Sequence, residues 1–175
     1  MRSLVLALAA LLAGAGTAHA ALKPGAAAPT FTAASYEAGK AGRFDLAAAL
    51  KQGPVVLYFF PAAFTSGCDM QAHDFSEAIK QFRAAGAQVV GITAGHTDRL
   101  AEFSTQKCAG AFPVLADPGA VVAGRYDAIL KTKPEWSERT SFVIGRDGKI
   151  AFTYTDPNPH PHIGKTLAAV RGLKK

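Results

Sequence analysis

The sequence predicts an α/β domain in which helices flank a central mixed sheet. Two apolar runs, residues 55–60 and 88–93, indicate buried strands, and a segment with helical periodicity separates them. A strand–helix–strand unit of this kind places its two strands in parallel. Near the end of the chain, Arg-Asp-Gly at 146–148 separates two further strand-like segments and predicts an antiparallel hairpin. Parallel and antiparallel pairs are therefore expected in one sheet.

The other predicted elements follow one another without an internal repeat or a linker. Phe75, Ile79 and Phe82 recur at helical spacing, and Asp-Pro-Gly at 117–119 marks a turn. In chain order, the predicted elements are a strand near Phe31, a helical turn over 45–50, helices over 67–84 and 97–107, a strand over 112–116, a short helix over 120–125, strands over 139–145 and 149–155, and a helix over 163–173. This alternation is typical of a thioredoxin-like fold.

Residues 1–20 have the pattern of a cleaved export signal. Arg2 precedes an apolar stretch over 4–12, and Ala-His-Ala at 18–20 provides a cleavage site with small residues. The apolar stretch is too short for a comfortable membrane span. We therefore expect an exported protein in a bacterial periplasm, with a single domain over residues 21–175 and no membrane contact.

The charge of the chain is moderate and dispersed. Lys and Arg number 19 against 13 Asp and Glu, and the net charge is +6. Loss of the signal, which removes Arg2 and no other charged residue, leaves 155 residues at +5. Aromatic residues are not interleaved with basic ones as a nucleic-acid surface requires. We expect no nucleic-acid partner.

Cys68 is one of two cysteines and lies at the end of the segment PAAFTSGC, residues 61–68. Pro61 is expected to end the preceding strand because proline cannot donate to a sheet ladder. Cys68 then falls in the first turn of the next helix, where unpaired N–H groups and the helix dipole stabilise a thiolate. For an exported chain, a permanent disulfide with Cys108 is the alternative. The local setting of Cys68 favours thiolate chemistry.

The pattern Pro61-x-x-x-Thr65-x-x-Cys68 resembles the active-site signature of the peroxiredoxins, the AhpC/TSA superfamily. The surrounding residues most resemble the bacterioferritin comigratory protein, or peroxiredoxin Q, branch, and the similarity continues at 113–117 and 139–150. The resemblance implies a thiol-specific peroxidase that reduces hydrogen peroxide and organic hydroperoxides to water and alcohols through a cysteine sulfenic acid. It also implies a thiol reductant (a thioredoxin-like protein or a small thiol), no metal or other cofactor, and a monomer or weak homodimer.

The resemblance implies a role for each matched residue. Cys68 would be the peroxidatic nucleophile, and the Thr65 hydroxyl would interact with the thiolate and orient the peroxide. Arg139 would stabilise the thiolate and the charge that develops on the breaking O–O bond. Pro61 would shield the thiolate from bulk water. Gln71 stands where relatives carry glutamate, and it would support Arg139 or Thr65.

The second cysteine departs from the pattern of peroxiredoxin Q. Many relatives place it five residues after the first, and this chain has His73 there. Cys108 instead resembles the resolving position of the bacterial thiol peroxidases, which implies a catalytic Cys68–Cys108 disulfide. Such a bond needs Cα atoms within about 7 Å, so we expect a helical turn to unfold locally. A passive thiol at Cys108 remains the alternative.

Two other redox functions are open on the same fold. A thioredoxin-like thiol–disulfide oxidoreductase needs Cys-x-x-Cys, which the sequence lacks. A copper-binding redox module would draw on the thiolate and on histidines, and soft thiolates do select copper. The usual cysteine pair is missing, however, and His160 and His162 are expected to be turn and cap residues in a proline-rich loop. Peroxide consumption with a dithiol separates the peroxidase from the oxidoreductase, and copper titration with loss of the Cys68 thiol signal would favour the copper-binding module.

Overall fold

Seven strands form one mixed sheet in the computed structural model, which describes residues 21–173. The strands are β1 (Thr32–Glu37), β2 (Lys40–Asp45), β3 (Val55–Ala62), β4 (Gln88–Gly95), β5 (Val114–Ala116), β6 (Thr140–Ile144) and β7 (Ile150–Thr155). The helices are α1 (Leu46–Gln52), α2 (Ser66–Ala84), α3 (Leu100–Gln106), α4 (Val121–Arg125) and α5 (His160–Arg171). The predicted export signal, residues 1–20, lies outside the described residues.

Three parallel strands lie at the centre of the sheet, whose order is β2-β1-β5-β4-β3-β6-β7. β4 pairs in parallel with β3 on one side and with β5 on the other. β6 runs antiparallel to both β3 and β7. The predicted parallel unit and the predicted hairpin are both confirmed, and so is the mixed character of the sheet.

Each face of the sheet carries a hydrophobic core. Alternate residues of β3 point to opposite faces, so that Tyr58 and Phe60 lie in one core and Leu57 and Phe59 in the other. α2, α3 and α5 cover the first face, and α1 and α4 cover the second. A strand covered on both faces must be apolar throughout, which explains the unbroken run over 55–60.

β2 is an edge strand that the sequence pattern did not predict. It pairs antiparallel with β1, and Ala38 and Gly39 make the turn between them with positive φ angles of 49° and 79°. Only Phe44 of this strand is buried. A strand with one buried side chain and several charged ones shows no alternation, and periodicity therefore could not reveal it.

The prediction that Pro61 ends the first strand is wrong, because β3 continues to Ala62. Ala62 still pairs with Gly95 of β4. The pairing of β3 with β6 ends at Phe59. On that side of the strand, no ladder hydrogen bond therefore requires an N–H group from Pro61. The extra residues carry the chain toward the start of α2.

Two helices begin at other residues than predicted. The expected helix over 97–107 is a 3-10 turn, Thr97–Arg99, followed by α3. The terminal helix begins at His160, three residues early, because Pro161 is tolerated in a first turn, where its missing N–H has no helical partner. His160 and His162 are thus helical residues, and the interpretation of both as loop residues is corrected. Among residues 21–173, no helix has the length and apolar character that crossing a bilayer demands.

Candidate active site

Cys68 is the third residue of α2 and is 1% exposed. Thr65 precedes the helix in extended conformation, and its carbonyl accepts hydrogen bonds from the N–H groups of Cys68 and Asp69, both at 2.9 Å. The Thr65 side chain makes no capping bond to the helix. The N-terminus of this 19-residue helix, which is the positive end of its dipole, therefore lies at the thiol, and no side-chain oxygen of Thr65 caps its N–H groups.

Arg139, the residue immediately before β6, brings its guanidinium to Cys68. Its Nη2 lies 3.5 Å from the Cys68 sulfur, and its Nη1 donates to Oε1 of Gln71. Its Nε donates to the carbonyl of Pro157 at 3.0 Å. Arg139 is 8% exposed, so three partners orient a cation that is almost fully buried. The sequence separation between Cys68 and Arg139 is 71 residues, and the pairing of β6 with β3 closes it.

The charge of Arg139 leaves a place for an anion at Cys68. Within residues 21–173, its hydrogen-bond partners are an amide oxygen, a carbonyl oxygen and a sulfur. Gln71 is fully buried and neutral, and it accepts from the guanidinium without cancelling its charge. Burying a cation without a counter-charge raises the free energy of the folded state by roughly several kcal/mol. Of these three partners, only the Cys68 sulfur belongs to a group that can carry a negative charge.

Gly67 is the residue that lets Arg139 approach. A Cβ atom at this position would lie 3.1 Å from Nη2 of Arg139, closer than a relaxed contact. Any side chain at 67 would therefore push against the guanidinium. The glycine between Thr65 and Cys68 serves the packing of the arginine as well as the start of the helix.

Pro61, near the end of β3, and Thr65, just before α2, precede Cys68 in the chain but make their polar contacts elsewhere. The Thr65 hydroxyl donates to the carbonyl of Ala62 at 3.0 Å. With its proton directed there, the hydroxyl oxygen keeps lone pairs that can accept from a bound hydroperoxide. The carbonyl of Pro61 accepts from the hydroxyl of Thr93 on β4 at 3.1 Å. The first contact holds Thr65 to the end of β3, and the second holds the end of β3 to β4.

Phe64 holds a strained conformation that sequence reasoning missed. Its φ angle is +59°, which is unusual for a bulky residue. Its ring packs edge-on against Phe103 with centroids 5.4 Å apart, and the Arg99 guanidinium lies 3.9 Å from its centroid. Such strain persists only where the surroundings enforce it. α3 and the turn before it therefore help to set the position of the neighbouring Thr65.

Cys108 lies just after α3 in the same hydrophobic core as Cys68, and both thiols are free. It is fully buried. Burial raises the pKa of the Cys108 thiol, and the negative charge of Asp69 raises that pKa further. Asp69 in turn makes an ion pair with Lys107, Oδ2 to Nζ at 2.8 Å, which joins the first turn of α2 to the end of α3. Cys108 is therefore a protonated, enclosed thiol in this conformation.

The described histidines do not gather into a metal centre. Among residues 21–173, no group of three or more His, Cys, Asp or Glu side chains is arranged to hold a metal ion. His160 instead makes a contact of 2.9 Å with Asp74 on α2. His162 is fully buried and bonds to Ser141 and to the backbone of Asp156, close to the segment that holds Arg139.

Comparison with known proteins identifies the family. Residues 24–153 match the AhpC/TSA family. The chain belongs to this family. It is 32% identical over 150 residues to chloroplastic peroxiredoxin Q of Oryza sativa subsp. japonica, which covers 85% of this chain and 67% of the relative. It is 31% identical over 147 residues to chloroplastic peroxiredoxin Q of Sedum lineare, which covers 83% of this chain and 76% of the relative.

A solved structure agrees with this membership of the AhpC/TSA family. The crystal structure of peroxidoxin BcpB from Mycobacterium tuberculosis superposes with a TM-score of 0.75 at 30% identity, and covers 88% of this chain and 99% of that one. The resemblance to peroxiredoxin Q and the thioredoxin-like fold are both confirmed. So is the class of activity: the chain is an oxidoreductase, a thiol peroxidase of the peroxiredoxin type.

Proposed function

We propose that Cys68 is the peroxidatic residue of this thiol peroxidase and that Arg139 is its electrostatic partner. The observation that carries the proposal is the contact of 3.5 Å between Nη2 of Arg139 and the Cys68 sulfur. A thiolate is the nucleophilic form of cysteine, and a fixed cation together with a helix N-terminus favours that form. Cys68 meets both conditions, whereas Cys108 meets neither.

In the first step, the Cys68 thiolate attacks the terminal oxygen of a hydroperoxide. A sulfur–oxygen bond forms and the O–O bond breaks, so that the sulfur loses two electrons and becomes a sulfenic acid. The leaving oxygen departs as water or an alcohol after it takes up a proton. Arg139 stabilises the negative charge that passes from sulfur to the leaving oxygen, and the Thr65 hydroxyl accepts a hydrogen bond from the peroxide. No metal, haem or flavin is required, because the sulfur itself accepts the oxygen.

In the second step, we propose that Cys108 resolves the sulfenic acid. Its thiolate attacks the Cys68 sulfur, forms the disulfide and releases water, and an external dithiol then reduces that disulfide. Because Cys108 is buried and its pKa is raised, it must first leave its site. The chain beyond α3 suits this movement, because Ala109 and Gly110 are consecutive residues with positive φ, 49° and 63°, after a helix of only seven residues.

Rapid mixing with hydrogen peroxide, followed by mass analysis of both thiols, tests the two steps. We expect C68S to consume no peroxide. We expect C108S to complete one turnover and to stop at the Cys68 sulfenic acid when the reductant is a protein dithiol. Peroxide consumption by C68S would refute the first step, and full steady-state turnover by C108S would refute the second.

We also propose that the mature enzyme begins at Ala21 in a bacterial periplasm and works there with a thioredoxin-like donor or a small thiol. The charged start, apolar stretch and small-residue site over 1–20 support export. N-terminal sequencing of the protein from a periplasmic extract is expected to begin at Ala21. A monomer or weak homodimer is the expected assembly, and light scattering across a concentration series tests it.

A further inference from the structure

We propose that His162 is a positioning residue for Arg139. His162 would act through the backbone of residues 156–157. This proposal rests on the role proposed above for Arg139 at Cys68. His162 lies in the first turn of α5 and touches neither the thiol nor the guanidinium through a hydrogen bond of its own. Its influence is carried by the carbonyl that orients the arginine.

Arg139 is tied to the segment after β7 at two places. Its side-chain Nε donates to the carbonyl of Pro157 at 3.0 Å. Its backbone carbonyl accepts from the N–H of Asp156 at 3.3 Å. The carbonyl of Pro157 is thus the contact that sets the guanidinium plane on the side away from Cys68 and Gln71. A shift of residues 156–157 would move the guanidinium relative to the sulfur.

His162 fixes that segment to α5. Its Nε2 lies 3.0 Å from the carbonyl oxygen of Asp156, and its Nδ1 lies 2.8 Å from the hydroxyl of Ser141 on β6. Pro157 follows directly, and its ring restricts φ to about −65°. Anchoring the carbonyl of Asp156 therefore also limits where the carbonyl of Pro157 can point.

These contacts determine the protonation of the ring. A backbone carbonyl can only accept, so Nε2 carries the proton, and Nδ1 accepts from the Ser141 hydroxyl. The neutral form agrees with the surroundings, because burial lowers the pKa of His162 and the charge of Arg139 lowers it further. The hydrogen bond and the charge of Asp156 act in the opposite direction.

The remaining contacts show a segment braced from several sides. The Asp156 carboxylate accepts from the N–H of Asn158 and from the hydroxyl of Tyr154, both at 2.8 Å. The Tyr154 ring packs edge-on against His162 with centroids 4.8 Å apart, and Lys165 lies 4.8 Å over the same Tyr154 ring. Packing alone could be supplied by an apolar side chain at 162. The bond from Nε2 is what holds the carbonyl of Asp156 to α5, and the bond from Ser141 satisfies the other nitrogen of the buried ring.

Two substitutions separate positioning from packing. In glutamine, the terminal amide lies about where Nε2 lies in histidine, so H162Q can keep the bond to the Asp156 carbonyl and gives up the one to Ser141. In asparagine, the amide lies about where Nδ1 lies, so H162N can keep the bond to Ser141 and gives up the one to Asp156. Each variant leaves one buried polar group unpaired, so their thermal midpoints are expected to fall by similar amounts.

The full-length enzyme and both variants are compared by the second-order rate constant of Cys68 oxidation by hydrogen peroxide and by the ultraviolet absorbance of the thiolate. H162Q is expected to stay within about threefold of the wild type, and H162N is expected to lose about tenfold or more, as misplacement of an orienting group does. Equal rate constants for the two variants, whether both high or both low, overturn the proposal. If H162N does not fold, H162L replaces it, because leucine supplies packing without a bond to the Asp156 carbonyl. A lowered rate constant is then expected, and an unchanged one overturns the proposal.

The double variant H162N/R139Q tests whether the effect passes through the arginine. It is expected to be no slower than R139Q alone, because a positioning residue has nothing left to position. A further loss in the double variant overturns the proposed route. R139Q oxidised as fast as the wild type would instead refute the role of Arg139 itself, and the two failures are therefore distinguishable.

Discussion

Cys68 and Cys108 lie in one hydrophobic core, and both are almost fully shielded from solvent. Their neighbours differ in sign. Cys68 stands at the start of a long helix beside the cation of Arg139, whereas Cys108 follows a short helix and feels the anion of Asp69. Burial by itself disfavours a thiolate at either place. Nearby charge, not exposure, therefore distinguishes the two thiols; on the roles proposed above, Cys68 is ready to react and Cys108 must first move.

The largest expected effect comes from removing the cation from the Cys68 side. R139Q is expected to slow oxidation of Cys68 by about 10²–10³-fold, the loss typical of a missing electrostatic group at a reacting centre. Stopped-flow measurement of the rate constant with hydrogen peroxide checks this. R146Q is the matched control, because Arg146 is exposed and donates to the carbonyl of Lys51. Equal rate constants for the two variants would contradict the comparison.

A smaller effect is expected from crowding the same cation. G67A places a methyl group where a contact of 3.1 Å with Nη2 of Arg139 would result, so the guanidinium must shift. We expect oxidation to slow by about tenfold. Alanine in place of glycine also favours a helix by up to about 1 kcal/mol, so the thermal midpoint is expected not to fall. Activity and stability that fall together would show that the loss comes from unfolding instead.

On the Cys108 side, releasing the contact between α2 and α3 is expected to speed resolution. D69N breaks the ion pair with Lys107 and removes the anion that raises the pKa of Cys108. The disulfide is expected to form about fivefold faster after Cys68 is oxidised, which corresponds to a pair worth up to about 1 kcal/mol. D74N is the matched control, because it is the same substitution on the same helix, at a carboxylate that lies 2.9 Å from His160. No difference between the two variants would argue against opening at this contact.

The smallest expected effect is a pH dependence of thermal stability that comes from His162 and not from either thiol. The pKa of His162 is lowered in the folded chain below its ordinary value of 6.5. The unfolded chain therefore binds the proton first, so stability from this group is complete above pH 6.5 and is lost as pH falls toward the folded pKa. We expect the thermal midpoint to drop between neutral pH and about pH 5, with a shallower slope in H162Q. Parallel slopes in both proteins would remove His162 as the cause.

Local pattern predicted the parts of this fold whose signals lie within a few residues. The unbroken apolar run of β3, the helical spacing of Phe75, Ile79 and Phe82, and the Asp-Gly turn of the last hairpin all formed as expected. β2 was not predicted, because a strand with one buried phenylalanine has no periodic hydrophobic pattern. The early start of α5 depended on prolines that a first turn accepts as readily as a loop does.

The site was predictable only where a motif named its residues. The loop from Pro61 to Cys68 could be marked from the sequence, and the resemblance to the peroxiredoxins added Arg139. Periodicity carries no information on a contact that spans 71 residues, such as that between Arg139 and Cys68. The role of His162 was harder still to predict. It depends on a hydrogen bond to a backbone carbonyl, and every residue type carries that group.

Gln71 has a consequence for the oxidised enzyme. A carboxylate at that position would neutralise the guanidinium in every redox state, whereas an amide leaves this task to the sulfur. On the roles proposed above, conversion of the thiolate into an uncharged sulfenic acid would leave the guanidinium buried without a counter-charge. Loss of that counter-charge would favour the local opening that the proposed Cys68–Cys108 disulfide requires, so peroxide itself would trigger the movement of the second thiol.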